Sequence, residues 1–363
     1  MSSAHTLTID LPLVECEPPP LPALATRSRR RRATPAPGTR IGAWRVDREI
    51  GRGGMAAVYA VVHTRFGKRA ALKLAHRAVL GPQFTPATFL REARMANLID
   101  HAGVAEVFAT GTYDGRPYLA MERLIGRSLG ARLDDGALPR DEAAAILIEL
   151  CEVLAAAHAA GVTHRDLKLD NIFLLDEPGR GGRRVKLLDW GMARVAGEDD
   201  PLRGLIAGTL TYVAPEQARG DDITPAADVY SLAVVAYQLL LGGPPFTAAS
   251  DLELIHKHLR EEPPRPRTMW RAIPPVLEAT LLAMLAKQPE DRPPLGEVVR
   301  ALGTVRPPLG TSVRRWLDPP VLPQGDVFGR PAVELLATRR RRMVSAALGL
   351  AITVASVAQM ISS

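Results

Sequence analysis

Residues 164–171 read HRDLKLDN, which puts Asp166, Lys168 and Asn171 within five positions of one another. Moving a phosphoryl group onto a hydroxyl needs a carboxylate that orients the nucleophile and takes its proton. It also needs a cation beside the moving group and oxygen ligands for a divalent metal. Asp166, Lys168 and Asn171 supply one of each. Asp189, in DWG directly after the apolar stretch VKLL, supplies a second metal ligand. Upstream, IGRGGMAAV carries Ile50, Gly51, Gly53, Gly54 and Val58. A glycine-rich turn lets backbone N–H groups approach phosphates without interference from Cβ. On its own such a turn is more simply an ordinary hairpin, and Ala56 stands where a GxGxxG pattern would have its third glycine. Lys73, in AALK 15 residues after Val58, could reach a phosphate, and Glu92 could pair with it. Taken singly, each is more simply a solvated charge.

The elements that must position these residues fall into two regions. GAWRVDREI, AAVYAVVH and RAALKLA read as strands separated by Gly-containing turns. Residues 87–98 have helical spacing. Residues 141–161 form an apolar-rich helix that Gly161 could close. A strand-rich stretch follows over 162–189. Helical stretches follow at 225–241, 250–260, 275–287 and 295–302. A β-rich small lobe therefore precedes a larger α-rich lobe, and no internal repeat is visible.

The formal net charge of +7 invites a nucleic-acid reading, but the charge is badly placed for it. Nine arginines lie in two runs, Arg27 with Arg29–Arg32 and Arg339–Arg342, and without them the charge becomes −2. The runs also lack aromatic interleaving, so nucleic acid is not an expected partner. Cys16 and Cys151 offer neither a metal spacing nor a disulfide framework. Residues 1–40 read as a disordered Pro/Arg-rich tail, 41–303 as the folded domain and 304–342 as a Pro/Gly-rich linker ending in the second basic run. Residues 343–363 carry no charged side chain and just reach the length of a membrane span. The four preceding arginines would hold that flank on the cytoplasmic side. The expected location is the cell membrane as a single-pass protein with the folded domain cytoplasmic. The alternative is an interfacial or packed helix on a cytoplasmic protein.

Over residues 41–303 the chain resembles the eukaryotic-like Ser/Thr protein kinases of bacteria. The motifs run in order: the Gly-rich loop, Lys73, Glu92, HRDLKLDN, DWG, GTLTYVAPE, DVYSLAVVAYQLLLGGPPF and DRP. The resemblance implies an α+β, two-lobed protein kinase fold with a β-rich N-lobe and an α-rich C-lobe, here followed by a C-terminal transmembrane helix. ATP and Mg²⁺, with Mn²⁺ as an alternative, are the implied cofactors, and protein Ser/Thr hydroxyls are the implied substrates. Asp166, Lys168, Lys73 and Glu92 would be catalytic, and Asn171 and Asp189 metal ligands. Met121 would be the gatekeeper, Glu122 and Leu124 the hinge contacts to adenine, and Val58, Ala71 and Phe173 the walls around the base. Asp228 would anchor the catalytic loop, Glu216 would pair with Arg292, and Thr209 would bond Asp166 and Lys168. HRDLK fits Ser/Thr rather than Tyr specificity. Departures are Ala56, His101-Ala102, Leu210, and Trp190 where DFG is usual; the larger ring of Trp190 would resist the flip that inactivates some kinases.

Two other functions compete. A pseudokinase or ATP-binding signalling scaffold would tolerate loss of Lys73, Asp166, Asn171 and Asp189, yet all four are present. Small-molecule phosphotransferases of this fold lack the APE segment and the DVYSL helix. Asp170 could meet an arginine upstream of a target hydroxyl. RRRRAT makes Thr34, or Ser28, an expected autophosphorylation site, although Pro35 weakens the match; tethering and self-association would favour it. The stretch Asp189–Gly208 contains no Ser, Thr or Tyr. Arg165 would grip a loop phosphate in relatives. Glu198, Asp199 and Asp200 either stand in for that phosphate or form a solvated run.

Overall fold

The computed structural model describes residues 34–80, 85–198, 200 and 209–305. The chain divides after Ala36 into two units, and the site lies wholly in the second. The N-terminal tail up to residue 33, the linker from residue 306 and the candidate span 343–363 lie outside the described residues. Among the described residues no helix is long and apolar enough to cross a membrane.

The first lobe is a six-stranded antiparallel sheet in the order β1-β2-β3-β4-β6-β5. Its strands are β1 (Arg40–Ile41), β2 (Trp44–Arg52), β3 (Ala56–His63), β4 (Arg69–Ala75), β5 (Val107–Tyr113) and β6 (Arg116–Met121). The β-branched and alanine-rich run of β3 suits a strand covered on both faces. One face buries Val46, Tyr59, Val61, Leu72 and Tyr118. The other receives helix α1 (Pro86–Leu98), whose Phe89 and Ala93 pack on Ala56, Ala75 and Leu119. Ala56 is thus a core residue of the strand behind the Gly-rich turn, which explains a small methyl there rather than a glycine. Register sets the working face. Val58 lies opposite Lys73, and Ala71 lies opposite Met121. Because strand side chains alternate with period two, Val58, Ala71, Lys73 and Met121 share one face.

The second lobe is helical. After β7 (Gly126–Ser128) and α2 (Leu129–Leu133) comes α3 (Arg140–Ala159), which buries Ile146, Leu147, Leu150 and Leu154. Burying each such side chain contributes about 1.5–3 kcal/mol. Gly161 ends α3 with φ +74°, donating its N–H to the carbonyl of His158. The short strands β8 (Val162–Thr163), β9 (Ile172–Leu175), β10 (Val185–Leu187) and β11 (Arg194–Val195) follow, pairing as β10-β9-β7 and β11-β8. Helices α4 (Pro215–Arg219), α5 (Ala226–Leu241), α6 (Asp251–Arg260), α7 (Pro266–Met269), α8 (Pro275–Met284) and α9 (Leu295–Leu302) complete the lobe. Helix α5 is apolar nearly all round because the lobe packs around it, with Leu232, Val235 and Leu239 among its buried residues. The loop holding Asp166 leaves β8 and the one holding Asp189 leaves β10. Both therefore emerge from buried strands, which fixes their positions.

Candidate active site

Lys73 is the meeting point of the two lobes. Its Nζ lies 2.6 Å from Glu92 Oε2 on α1 and 3.2 Å from Asp189 Oδ1 after β10. Burial works against the lysine charge, but Glu92 and Asp189 more than offset it, so Lys73 titrates above an ordinary lysine. Burial also opposes ionisation of Asp189, and again the Lys73 cation outweighs it and holds the carboxyl below its ordinary value. Both ends of the Lys73–Asp189 contact are therefore charged at neutral pH.

In the catalytic-loop segment, Lys168 Nζ donates to Asp166 Oδ2 at 2.6 Å. Asn171 Nδ2 donates to the Asp166 carbonyl at 2.7 Å and to its Oδ2 at 3.1 Å. Both partners of that nitrogen are acceptors, so the amide orientation is determined and Asn171 Oδ1 faces the other way. The loop is pinned from beneath by Asp228, which is fully buried. Its Oδ2 accepts from the His164 N–H and its Oδ1 from the Arg165 N–H, both at 2.9 Å, and His158 Nε2 lies 2.8 Å from Oδ2. Burial would raise the Asp228 pKa, but His158, His164 and the backbone N–H bring it below the ordinary value. Arg165 and Asp189 both adopt left-handed backbone, at φ +69° and +63°. For non-glycine residues this costs about 1–2 kcal/mol each, and such strain clusters at functional sites.

Neither Gly51 nor Gly53 has positive φ, and a Cβ on either would meet nothing nearer than 3.9 Å. The fold does not require glycine there, and each position has open space about it. Gly53 donates to the Ala56 carbonyl at 2.9 Å, and His76 holds the turn through the Gly53 carbonyl at 2.9 Å. Val58, Ala71 and Met121 line the sheet face, while Phe173 on β9 lies opposite Ser128 in the facing lobe. Among the described residues no group of three or more His, Cys, Asp or Glu side chains could hold a metal unaided. Asn171 Oδ1 and the Asp189 carboxylate are oxygen donors of the kind a hard divalent cation takes.

One expectation changes, at Thr209. The Glu122 N–H donates to the Glu106 carbonyl at 2.8 Å, which leaves its carbonyl for the expected backbone contact. Leu124 lies two residues further on, in the loop between β6 and β7. Thr209 is exposed and, among the described residues, bonds neither Asp166 nor Lys168; it precedes the turn Leu210–Tyr212 with its backbone extended. Gln217 ties this region to the loop instead, donating to the Arg165 carbonyl at 3.0 Å. Glu216 and Arg292 form a buried two-bond pair at 2.7 and 2.8 Å.

Several contributors escaped sequence reasoning. Lys186 on β10 is buried and donates to Glu122 Oε2 at 2.6 Å and to the Val104 carbonyl at 3.2 Å, bracing the segment after β6. A lysine inside the apolar run VKLL was the only signal. His158 had none, because its partner lies 70 residues away. Trp190 is buried, edge-on to His164 with ring centroids 4.6 Å apart, and its indole N–H donates to the Leu187 carbonyl at 3.2 Å. Phenylalanine lacks that donor. A ligand that requires this ring to leave its pocket is therefore expected to bind the native protein weakly and Trp190→Phe at least several-fold more tightly; equal affinities in calorimetry would refute this.

A catalytic-type Asp–Lys–Asn loop, an ion-paired lysine beneath a glycine-rich hairpin and a facing helical lobe define the class of nucleotide-dependent phosphotransferases. A model of the protein kinase domain matches residues 44–301, and the chain belongs to the protein kinase family. It is similar to the serine/threonine-protein kinase Pkn1 of Myxococcus xanthus, with 37% identity over 86% of this chain and 48% of that protein. It is also similar to PknD of Mycobacterium tuberculosis, with 35% identity over 72% and 39% of the two chains. The chain spans less than half the length of these curated relatives. Mutant forms of the kinase domain of Mycobacterium tuberculosis PknI share the fold, with a TM-score of 0.57 and 27% identity over 75% of this chain and 98% of that one.

Proposed function

We propose that the chain is an ATP-dependent Ser/Thr protein kinase. The observation that carries this is Lys73 held between Glu92 and Asp189, because the pair joins the two lobes at the point where phosphates would lie. Lys73 binds and orients the α- and β-phosphates, and Glu92 keeps its ammonium in place. The N–H groups of the Gly51–Gly54 turn cover the phosphates. Val58, Ala71, Met121 and Phe173 enclose the base, with the Glu122 carbonyl and the Leu124 backbone as its polar contacts. Asn171 Oδ1 and Asp189 would hold a divalent cation, Mg²⁺ on this reading and Mn²⁺ as the alternative, which would neutralise phosphate charge.

Asp166 orients the substrate hydroxyl and receives its proton as the oxygen–phosphorus bond forms and the bond to the departing ADP oxygen breaks. Lys168, 2.6 Å from Asp166, places a cation beside the transferring group. Ser/Thr specificity rests on Lys168 in HRDLK. The test is transfer of labelled γ-phosphate to a generic basic protein, followed by phosphoamino-acid analysis. Phosphoserine or phosphothreonine made by the native chain and absent with Asp166→Asn supports the reading. ATP binding without transfer would leave a signalling scaffold.

Residues 343–363 are proposed to anchor the chain in the cell membrane with the kinase domain cytoplasmic. Support comes from their uncharged composition and the arginine run before them. Fractionation of the full chain against a version ending at Leu336 tests this: the full chain should pellet with membranes and the shortened one should not. Thr34, which is exposed, and Ser28 remain the proposed autophosphorylation sites.

A further inference from the structure

The structure assigns Glu198 and Asp200 as positioning residues that hold the reacting geometry without any phosphate on the segment after Asp189. The assignment rests on the kinase reading above. Arg165 and Asp200 form a two-bond pair: Nη1 donates to Oδ1 at 2.9 Å and Nη2 donates to Oδ2. Both side chains are nearly buried, at 6% and 10% exposure, so solvent screens this pair little. Arg165 immediately precedes Asp166. Its N–H is fixed by Asp228, its carbonyl by Gln217 and its guanidinium by Asp200. Asp200 therefore supplies the third anchor of a residue held in strained left-handed backbone beside the proposed base.

Glu198 makes the second connection. Arg94 on α1 donates to its two carboxylate oxygens at 3.1 and 2.5 Å. Arg94 lies two residues beyond Glu92, so the same helix is tied to Lys73 on one side and to the segment after Asp189 on the other. This pair is more exposed than the first, with Arg94 at 59%, and it contributes correspondingly less.

Together the two carboxylates bring two negative charges to two arginines from different elements. A phosphate brings about −1.5 to −2 charges and performs such bridging where loops are switched by modification. In this chain Asp189–Gly208 contains no hydroxyl-bearing side chain that could carry one. The carboxylates take the two arginines directly. Among the described residues Arg165 Nε is buried with no hydrogen-bond partner. The chain should accordingly be active as synthesised, and its control must act elsewhere than on this segment.

The test uses the full chain, produced with and without a co-expressed protein phosphatase, with Asp166→Asn as the background control. Dephosphorylated and untreated native protein should have the same kcat within about two-fold. Asp200→Asn, which keeps shape and loses charge, should lower kcat about 10- to 100-fold with little change in KM for ATP, and Asp200→Glu should recover part of it. Glu198→Gln should lose about 2- to 5-fold, in keeping with an exposed pair. Loss of activity on phosphatase treatment, traced to Thr209 or Thr211, would overturn the proposal, as would Asp200→Asn with unchanged kcat. Hydrogen exchange provides a readout independent of turnover. Asp200→Asn should speed exchange over 190–198 more than over the buried helix α5, and unchanged protection over 190–198 would also overturn it. An inactive native chain, by contrast, refutes the kinase reading, and exchange alone then decides the clamp.

Discussion

Asp166→Asn should reduce kcat by about 10²–10⁴, the range for removing a positioned general base, while KM for ATP stays near its native value. The contacts explain why the loss should be confined to chemistry. Asp166 Oδ2 accepts from Lys168 Nζ at 2.6 Å and from Asn171 Nδ2 at 3.1 Å. Two donors therefore select the amide oxygen of an introduced asparagine for that position, and the loop keeps its shape. The amide NH₂ then occupies the place of Oδ1, which makes no hydrogen bond among the described residues. A group that could take the substrate proton becomes one that can only donate. Lys73, Glu92 and Asp189 bind elsewhere and are untouched. Steady-state kinetics with varied ATP checks this; a variant retaining more than about a tenth of native kcat would remove Asp166 from the role of base.

The second large effect is on stability. Glu216→Ala should cost about 3–5 kcal/mol, the usual penalty for breaking a buried pair from one side. The exposures of the Arg292 and Glu216 side chains are 0% and 1%, so the stranded guanidinium has no route to water. Arg292 would keep the Ala286 and Ala226 carbonyls, each at 2.9 Å, but no counter-charge. Glu216→Gln retains the shape and one acceptor and should fall between native and alanine. Urea denaturation with midpoints compared at constant slope measures the order. A loss below about 1 kcal/mol for Glu216→Ala would mean the pair is only as strong as a surface salt bridge. The pair joins the start of α4 to the turn before α9, so its failure should release the segment that follows Thr209 before the rest of the lobe.

The strands over Trp44–Arg52, Ala56–His63 and Arg69–Ala75 were legible as short runs bounded by Gly-containing turns, the last two rich in alanine, valine and leucine, as strands buried on both faces are. Helices α6 and α9 were legible because one-sided burial imposes a 3.6-residue period, and α3 and α5 because their apolar runs are too long for strands. The short pieces β1, α2, α4 and α7 were not, since two to five residues carry too little pattern. Asp166, Lys168 and Asn171 could be read as one cluster because a single loop contains them and spacing suffices. Lys73, Glu92 and Asp189 are 116 residues apart at their widest, and only a resemblance in motif order could group them.

What the sequence determined alone, therefore, is the chemistry available: which carboxylates, cations and amide oxygens exist and how neighbours in one loop combine. The tertiary structure decided the pairings. It turned Lys186 inward to brace Glu122, set His158 on Asp228, left Thr209 in solvent, and gave Asp200 to Arg165 and Glu198 to Arg94. Charge pairing depends on distances of a few ångströms and on exclusion of water. Neither quantity is encoded locally; both arise only when strands and helices distant in sequence pack together.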